Sequence, residues 1–145
     1  MKVLHEVLVT VFVKAEDKTD DVLTALKAFF PFEVIPAIEQ VELSKGMMDV
    51  AKVSIKKDSQ TNSFLKHFKE VLGEFQMKAV ASQADRLHED EEDFNWYVRL
   101  DKRAWMSERK AMITESGDCF HFKFTLAVFP KKLETAKALA LRLFG

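Results

Sequence analysis

Between Cys119 and Val128 an apolar residue fills every even position, Phe120, Phe122, Phe124, Leu126 and Val128, while Cys119, His121, Lys123, Thr125 and Ala127 fill the odd ones. A period of two is the spacing of a β-strand whose side chains alternate between two surroundings, so this stretch commits the chain to a sheet with one covered face. Phe94, Trp96, Val98 and Leu100 alternate in the same way with Asn95, Tyr97, Arg99 and Asp101. Both stretches are expected to be antiparallel strands, because antiparallel sheets are the ones that leave a face to water.

The other elements arrange themselves around these two. Val3, Val7, Val9, Val11 and Val13, interleaved with Leu4, Leu8, Thr10 and Phe12, predict a central strand largely covered on both faces. Val22, Leu23, Leu26, Phe29 and Phe30 recur at helical spacing, with Asp17 or Thr19 as cap and Pro31 as stop. Residues 38 to 43 and 50 to 55 read as a hairpin turning around Gly46. A second helix opens at Ser59 or Thr61, buries Phe64, Leu65, Phe68, Val71 and Leu72, and stops at Gly73; a shorter one follows from about 75 to 87. After Pro130, Leu133, Ala136, Leu139, Ala140 and Leu143 form a closing helix. The predicted class is α+β, a mainly antiparallel sheet with helices packed on one face, since every amphipathic stripe needs a surface to bury it. At 145 residues, with no linker or repeat, residues 1–145 are expected to form a single domain.

Composition narrows the functional classes. With 48% hydrophobic residues and only 4 Gly and 3 Pro the chain is neither disordered nor fibrous, and its 13 Phe against a single Tyr are suited to a core that needs no polar partners. Cys119 is the only cysteine, which forbids an intrachain disulfide and favours the cytoplasm. The opening Met1, Lys2, Val3, Leu4, His5, Glu6 does not read as a leader, and no apolar run approaches the ~20 residues of a membrane span. The net charge of −1 includes the acidic run Glu89, Asp90, Glu91, Glu92, Asp93; removing those five charges leaves +4. A cationic surface is therefore concealed in the total.

Alternation places the candidate site. If Ala51, Val53 and Ile55 point inward, Lys52, Ser54 and Lys56 point outward, together with Tyr97, Arg99, His121, Lys123 and Thr125. Cations beside an aromatic ring and a histidine suit RNA, whose bases stack on rings while Lys and Arg neutralise phosphates; the same residue types also make an ordinary solvated face. A second cluster, Arg99, Lys102, Arg103, Arg109 and Lys110, extended by Lys131, Lys132, Lys137 and Arg142, fits phosphate contact or pairing with the acidic run. Cys119 and His121 are two ligands where a metal wants three or four, and His5, His67 and His88 are isolated, so no metal and no cofactor is expected. No phosphate loop, nucleophile elbow or triad pattern occurs, and a magnesium nuclease built on the acidic run is the weakest reading.

Arg86, Leu87, His88, Glu89, Asp90, followed by Tyr97, Val98, Arg99, Leu100, Asp101, Lys102, then Gly117 and Asp118 opening a long strand that closes near Pro130, resembles a family of small archaeal proteins described as RNA-binding and as predicted exosome subunits. The strand ending at Ala15, Glu16, Asp17 and the helix finishing in Phe30 and Pro31 are similar too, so the resemblance covers nearly the whole chain. The sequence departs from the family at Arg103, where Gln is usual, and at Ser44, Lys45, Gly46, Met47, Met48, where the family has a His-containing, Gly-rich turn. The resemblance implies a fold like the ribosomal protein that grips the small ribosomal RNA of the large subunit. It also implies a non-catalytic role in RNA binding or processing, RNA as partner, and exosome or ribosome-related proteins as candidate companions. Tyr97, Arg99 and Lys102 carry over within the motif, although Arg99, Asp101 and Lys102 can equally fix the strand end and its turn. The alternative is a protein-interaction module or homodimer that offers Phe, Trp105 and Met106 on an apolar patch.

Overall fold

A computed structural model describes residues 2–83, 87–90, 93–128 and 132–144, with only the backbone of His88 and Asp90. Its strands are β1 (Leu4–Val13), β2 (Ala37–Leu43), β3 (Gly46–Ile55), β4 (His88–Asp90), β5 (Asp93–Asp101) and β6 (Cys119–Leu126); its helices are α1 (Thr19–Lys27), α2 (Asp58–Ala81), α3 (Lys102–Glu108) and α4 (Leu133–Phe144). The strands join in one sheet of order β2-β3-β1-β6-β5-β4, every pairing antiparallel. The α+β class and the antiparallel sheet follow the sequence expectation.

The helices cover one face, and the phenylalanines show how. Phe64 and Phe68 of α2 lie against Phe122 and Phe124, Phe144 of α4 meets Trp96 and Phe124, and Phe29, just past α1, meets Phe120 and Phe122 edge-on. Phe120, Phe122 and Phe124 are the even residues of β6, so the alternation read from sequence selects the buried side. Ring pairs of this kind prefer offset or edge-on contact, which is what a layer of helices over a pleated strand supplies.

Several local expectations need correction. β1 lies third in the sheet, as a central strand should, but it is covered on one face only: Val7, Val9 and Val11 are buried, whereas Leu8 and Thr10 are half-buried and Phe12 is exposed. Neither Asp17 nor Thr19 caps α1, whose N-cap is Lys18; the Asp17 carboxylate instead accepts from the Lys14 backbone N–H and from Lys102. α2 begins at Asp58, ahead of both Ser59 and Thr61. Gly73 does interrupt it, as expected, at φ 76°, where a residue without Cβ can turn the chain, and the shorter helical stretch expected beyond it follows, ending at Ala81 rather than near 87. The hairpin turns through Ser44 and Lys45, with Leu43 paired to Gly46 at φ 124°. α3 has no counterpart in the sequence expectation, because seven residues are too few to display a helical period. Arg86, Glu91, Glu92, Pro130 and Lys131, which entered the sequence reading, lie outside the described residues, as do the side chains of His88 and Asp90.

Candidate nucleic-acid interface

The uncovered face of the sheet is built by register. Thr10 of β1 faces Lys52 of β3 on one side and His121 of β6 on the other, and His121 faces Arg99 of β5. Lys52, Thr10, His121 and Arg99 thus form one row across four neighbouring strands, about 14 Å long at ~4.8 Å per strand. The adjacent row is Ser54, Leu8, Lys123 and Tyr97. Lys52, Arg99 and Lys123 therefore share one surface, as alternation predicts. The Tyr97 and His121 rings lie 5.3 Å apart, tilted by 34°. Thr125 points the same way but is buried, donating its hydroxyl to the Asn95 Oδ1 at 2.7 Å.

Two of the three cations on this face, Lys52 and Arg99, have a defined partner. The Lys52 ammonium lies 3.1 Å from the Glu39 carboxylate on the neighbouring strand, an exposed pair of the kind that contributes little and exchanges readily. The Arg99 guanidinium donates to the Glu115 carbonyl at 3.3 Å, from a segment that lies along the outer edge of β5: Thr114 N–H bonds the Arg99 carbonyl and Asp101 N–H bonds the Met112 carbonyl. Burial first, then the charges of Arg99 and Lys123, hold the His121 imidazole below its ordinary range, so it is neutral near pH 7. Burial likewise raises the Cys119 thiol, opposed by Arg99, which leaves it protonated and unreactive. A hollow of about 320 Å³, lined by Thr10, Phe12, Arg99, Gly117, Cys119 and His121, opens on the same face.

The second cluster does not hold together. Lys102 is 3% exposed, and its ammonium donates to the Phe12 carbonyl at 2.8 Å and to the Asp17 carboxylate, with Asp118 at 3.7 Å. Its charge is consumed inside the protein, which corrects the expectation of a phosphate contact there. Asp17 is pushed up by burial, but the hydrogen bonds from Lys102 and from the Lys14 N–H, with the charges of both lysines, outweigh this and leave its carboxyl below the ordinary range. Asp101 accepts from the Ala104 N–H at 2.9 Å and so caps α3. Asp101 and Lys102, the end of the motif that carries the family resemblance, thus serve to turn β5 into α3.

Arg103, Arg109 and Lys110 are exposed, yet on another side of the molecule. Trp105 of α3 stacks on Phe29 at 4.1 Å and donates its indole N–H to the Ala25 carbonyl, which places α3 in the helical layer. Arg109, in a left-handed conformation, donates to the Trp105 and Met106 carbonyls and sits 5.8 Å over the Trp105 ring. Arg103, Arg109 and Lys110 lie too far from Asp93 to pair with it: Asp93 and Asp101 are the two ends of β5, about 26 Å apart at ~3.3 Å per residue. Among the described residues no group of three His, Cys, Asp or Glu could hold a metal ion, and no helix is long and apolar enough to cross a membrane. Trp105 is 4% exposed, which removes the anchor of the apolar docking patch. The residues that sequence reasoning missed are Phe12 and Thr10, hidden because β1 was expected to be covered on both faces.

Residues 6–126 match a protein family described as RNA binding. An RNA-binding protein of Pyrococcus abyssi is 26% identical over 137 residues, covering 90% of this chain and 86% of the relative. A crystal structure of a protein from A. fulgidus, placed in the family DUF54, superposes with a TM-score of 0.85 at 28% identity, covering 97% of this chain and 99% of that one. A DUF54 protein of Methanothermobacter thermautotrophicus shares the fold with a TM-score of 0.77 at 21% identity, over 99% and 100% of the two chains.

Proposed function

The chain belongs to this RNA-binding family, and from that premise we propose that it is a non-catalytic RNA-binding protein that holds its RNA on the open sheet face. The observation that supports this most is the convergence of Lys52, Arg99 and Lys123 on one face around the Tyr97 and His121 rings. In this reading the three cations neutralise phosphates and release their counterions, while the rings and the Arg99 plane stack on bases. Arg103, Arg109 and Lys110 form a separate cationic strip on the helical side, reached by a longer RNA passing around the end of the sheet. Lys102 has a positioning role only, since it ties the end of β1 to the start of α3.

An accessory role in RNA processing or degradation, alongside exosome or ribosome-related proteins, belongs to the same proposal and is supported by the resemblance of residues 97–102; the cytoplasm as its place is supported by the single cysteine. The test is fluorescence anisotropy with a mixed pool of single-stranded and structured RNA at two salt concentrations, comparing wild type with the Arg99→Ala, Lys123→Ala double variant. Binding that weakens steeply with salt and is lost in the variant is the expected result. Absence of binding at low salt, or binding indifferent to salt, would overturn it and bring the protein-interaction module forward.

A further inference from the structure

The sheet is not continuous over its whole open face. β1 and β6 pair from Leu4 opposite Leu126 to Thr10 opposite His121, and there their ladder ends. β1 nevertheless continues along β3 as far as Val13 opposite Asp49, while β6 begins at Cys119. Phe12 and Cys119 therefore flank an opening between two strands that are paired elsewhere, and the hollow of about 320 Å³ lies there. Such a volume is near the small end of the roughly 300–1,000 Å³ range of small-molecule sites.

The lining has a consistent chemistry. The Phe12 ring is 38% exposed, the Thr10 side chain adds a methyl group, and the Cys119 thiol is uncharged. An exposed Phe alone is ordinary, but this one converges with two polar groups that can set the orientation of a planar guest. A neutral His121 offers one N–H donor and one nitrogen acceptor, the complement of a base edge that carries both. The Arg99 guanidinium has five donors, so its bond to Glu115 leaves capacity for a ligand. An anion would be poorly served inside this largely apolar lining, whereas Lys52, at the end of the row that lines the hollow, and Lys123, in the row beside it, suit the phosphates of a guest.

We propose that the hollow bounded by Phe12, His121 and Arg99 is a receptor for one unpaired base of an RNA strand, with Phe12 as its stacking platform. The inference rests on the RNA-binding reading and sharpens it, since it names single-stranded RNA as the substrate class. A base locked in a duplex stack cannot enter such a hollow, so paired RNA binds only through its phosphates. Phe12 does not appear in the sequence motif, and its role depends on the ladder ending at Thr10, two residues before it.

The experiment measures binding of a single-stranded 12-mer and of its blunt duplex by the full chain, by Phe12→Ala and by Phe12→Trp. Wild type should favour the single strand, and Phe12→Ala should weaken that binding about tenfold while leaving the duplex affinity and the salt dependence unchanged. Phe12→Trp should retain single-strand binding, and its added indole fluorescence should be quenched by the single strand but not by the duplex, against a background from two buried tryptophans. If single and double strands bind equally and Phe12→Trp shows no quenching, the hollow is not a base receptor, although the RNA-binding reading survives. Competition by mononucleotides at the same occupancy as the strand would make the site one for free nucleotides and overturn the inference. Failure of wild type to bind either RNA overturns the parent reading as well.

Discussion

On the helical side of β6, Phe120, Phe122 and Phe124 have no exposed surface, while on the other side of the same strand His121 and Lys123 remain half-buried. The two sets differ by one residue of register and by nothing in their backbone. Identity on the covered side is dictated by volume and shape, because rings from α2 and α4 and from the end of α1 meet there at 4.9–6.3 Å between centroids. Identity on the open side is free to serve a partner. The same contrast recurs within the motif: Arg99 projects from the open face, and Lys102, three residues on, is enclosed. Charge type alone does not distinguish a binding residue from a structural one.

Mutation of paired neighbours can break this comparison. Phe122→Ala should cost about 3–5 kcal/mol in chemical denaturation, through lost transfer energy and a cavity under α2, whereas Lys123→Ala should stay within about 0.5 kcal/mol. Equal effects would mean that the open face is also part of the core. Lys102→Ala should come next, at about 3 kcal/mol, because it leaves the Asp17 carboxylate without its ammonium; Arg99→Ala should have almost no effect on stability. Asp17 titrates below its ordinary range, so the stabilisation it provides is present above that range and is lost as pH falls through the lowered value. The gap between wild type and Lys102→Ala should accordingly close in acid.

Binding should reverse the order. Arg99→Ala and Lys123→Ala are each expected to reduce the salt slope of RNA affinity by about one, in an anisotropy titration across salt concentrations. Should either residue leave the slope untouched, its phosphate contact is wrong. The smallest effect belongs to His121. Arg99 and Lys123 both depress it, so in Arg99→Ala its imidazole should titrate nearer the ordinary value, read from ring proton shifts by NMR. Because the folded value lies below the unfolded one, the unfolded chain binds more protons between the two, and stability should rise with pH across that window. The window narrows in Arg99→Ala.

Much of the fold was legible because period-two alternation reports burial directly: residues 94–101 and 119–126 announce both their strands and their inward sides. β1 misleads for a related reason, since an unbroken run of Val, Leu and Phe looks the same whether the second face is packed or open. α3 was invisible at seven residues, and with it the burial of Trp105. Residues 99–110 form one cationic cluster along the sequence, but a strand end followed by a helix start sends neighbours to different surfaces. Arg99 stays on the sheet, Lys102 turns inward, and Arg109 ends in the helical layer over Trp105.

By itself, then, the sequence determined which residues of each strand share a face, because alternation is a property of the pleated backbone alone. Only tertiary structure decided which strands lie side by side, and so which cations meet: β1 sits between β3 and β6, and this brings Lys52 into one row with His121 and Arg99. It also decided that the β1 and β6 ladder ends before Phe12, which opens the hollow, and that Lys102 has an acid to bury against. Those outcomes depend on register and on contacts made by residues as many as 90 positions apart, which no local pattern encodes.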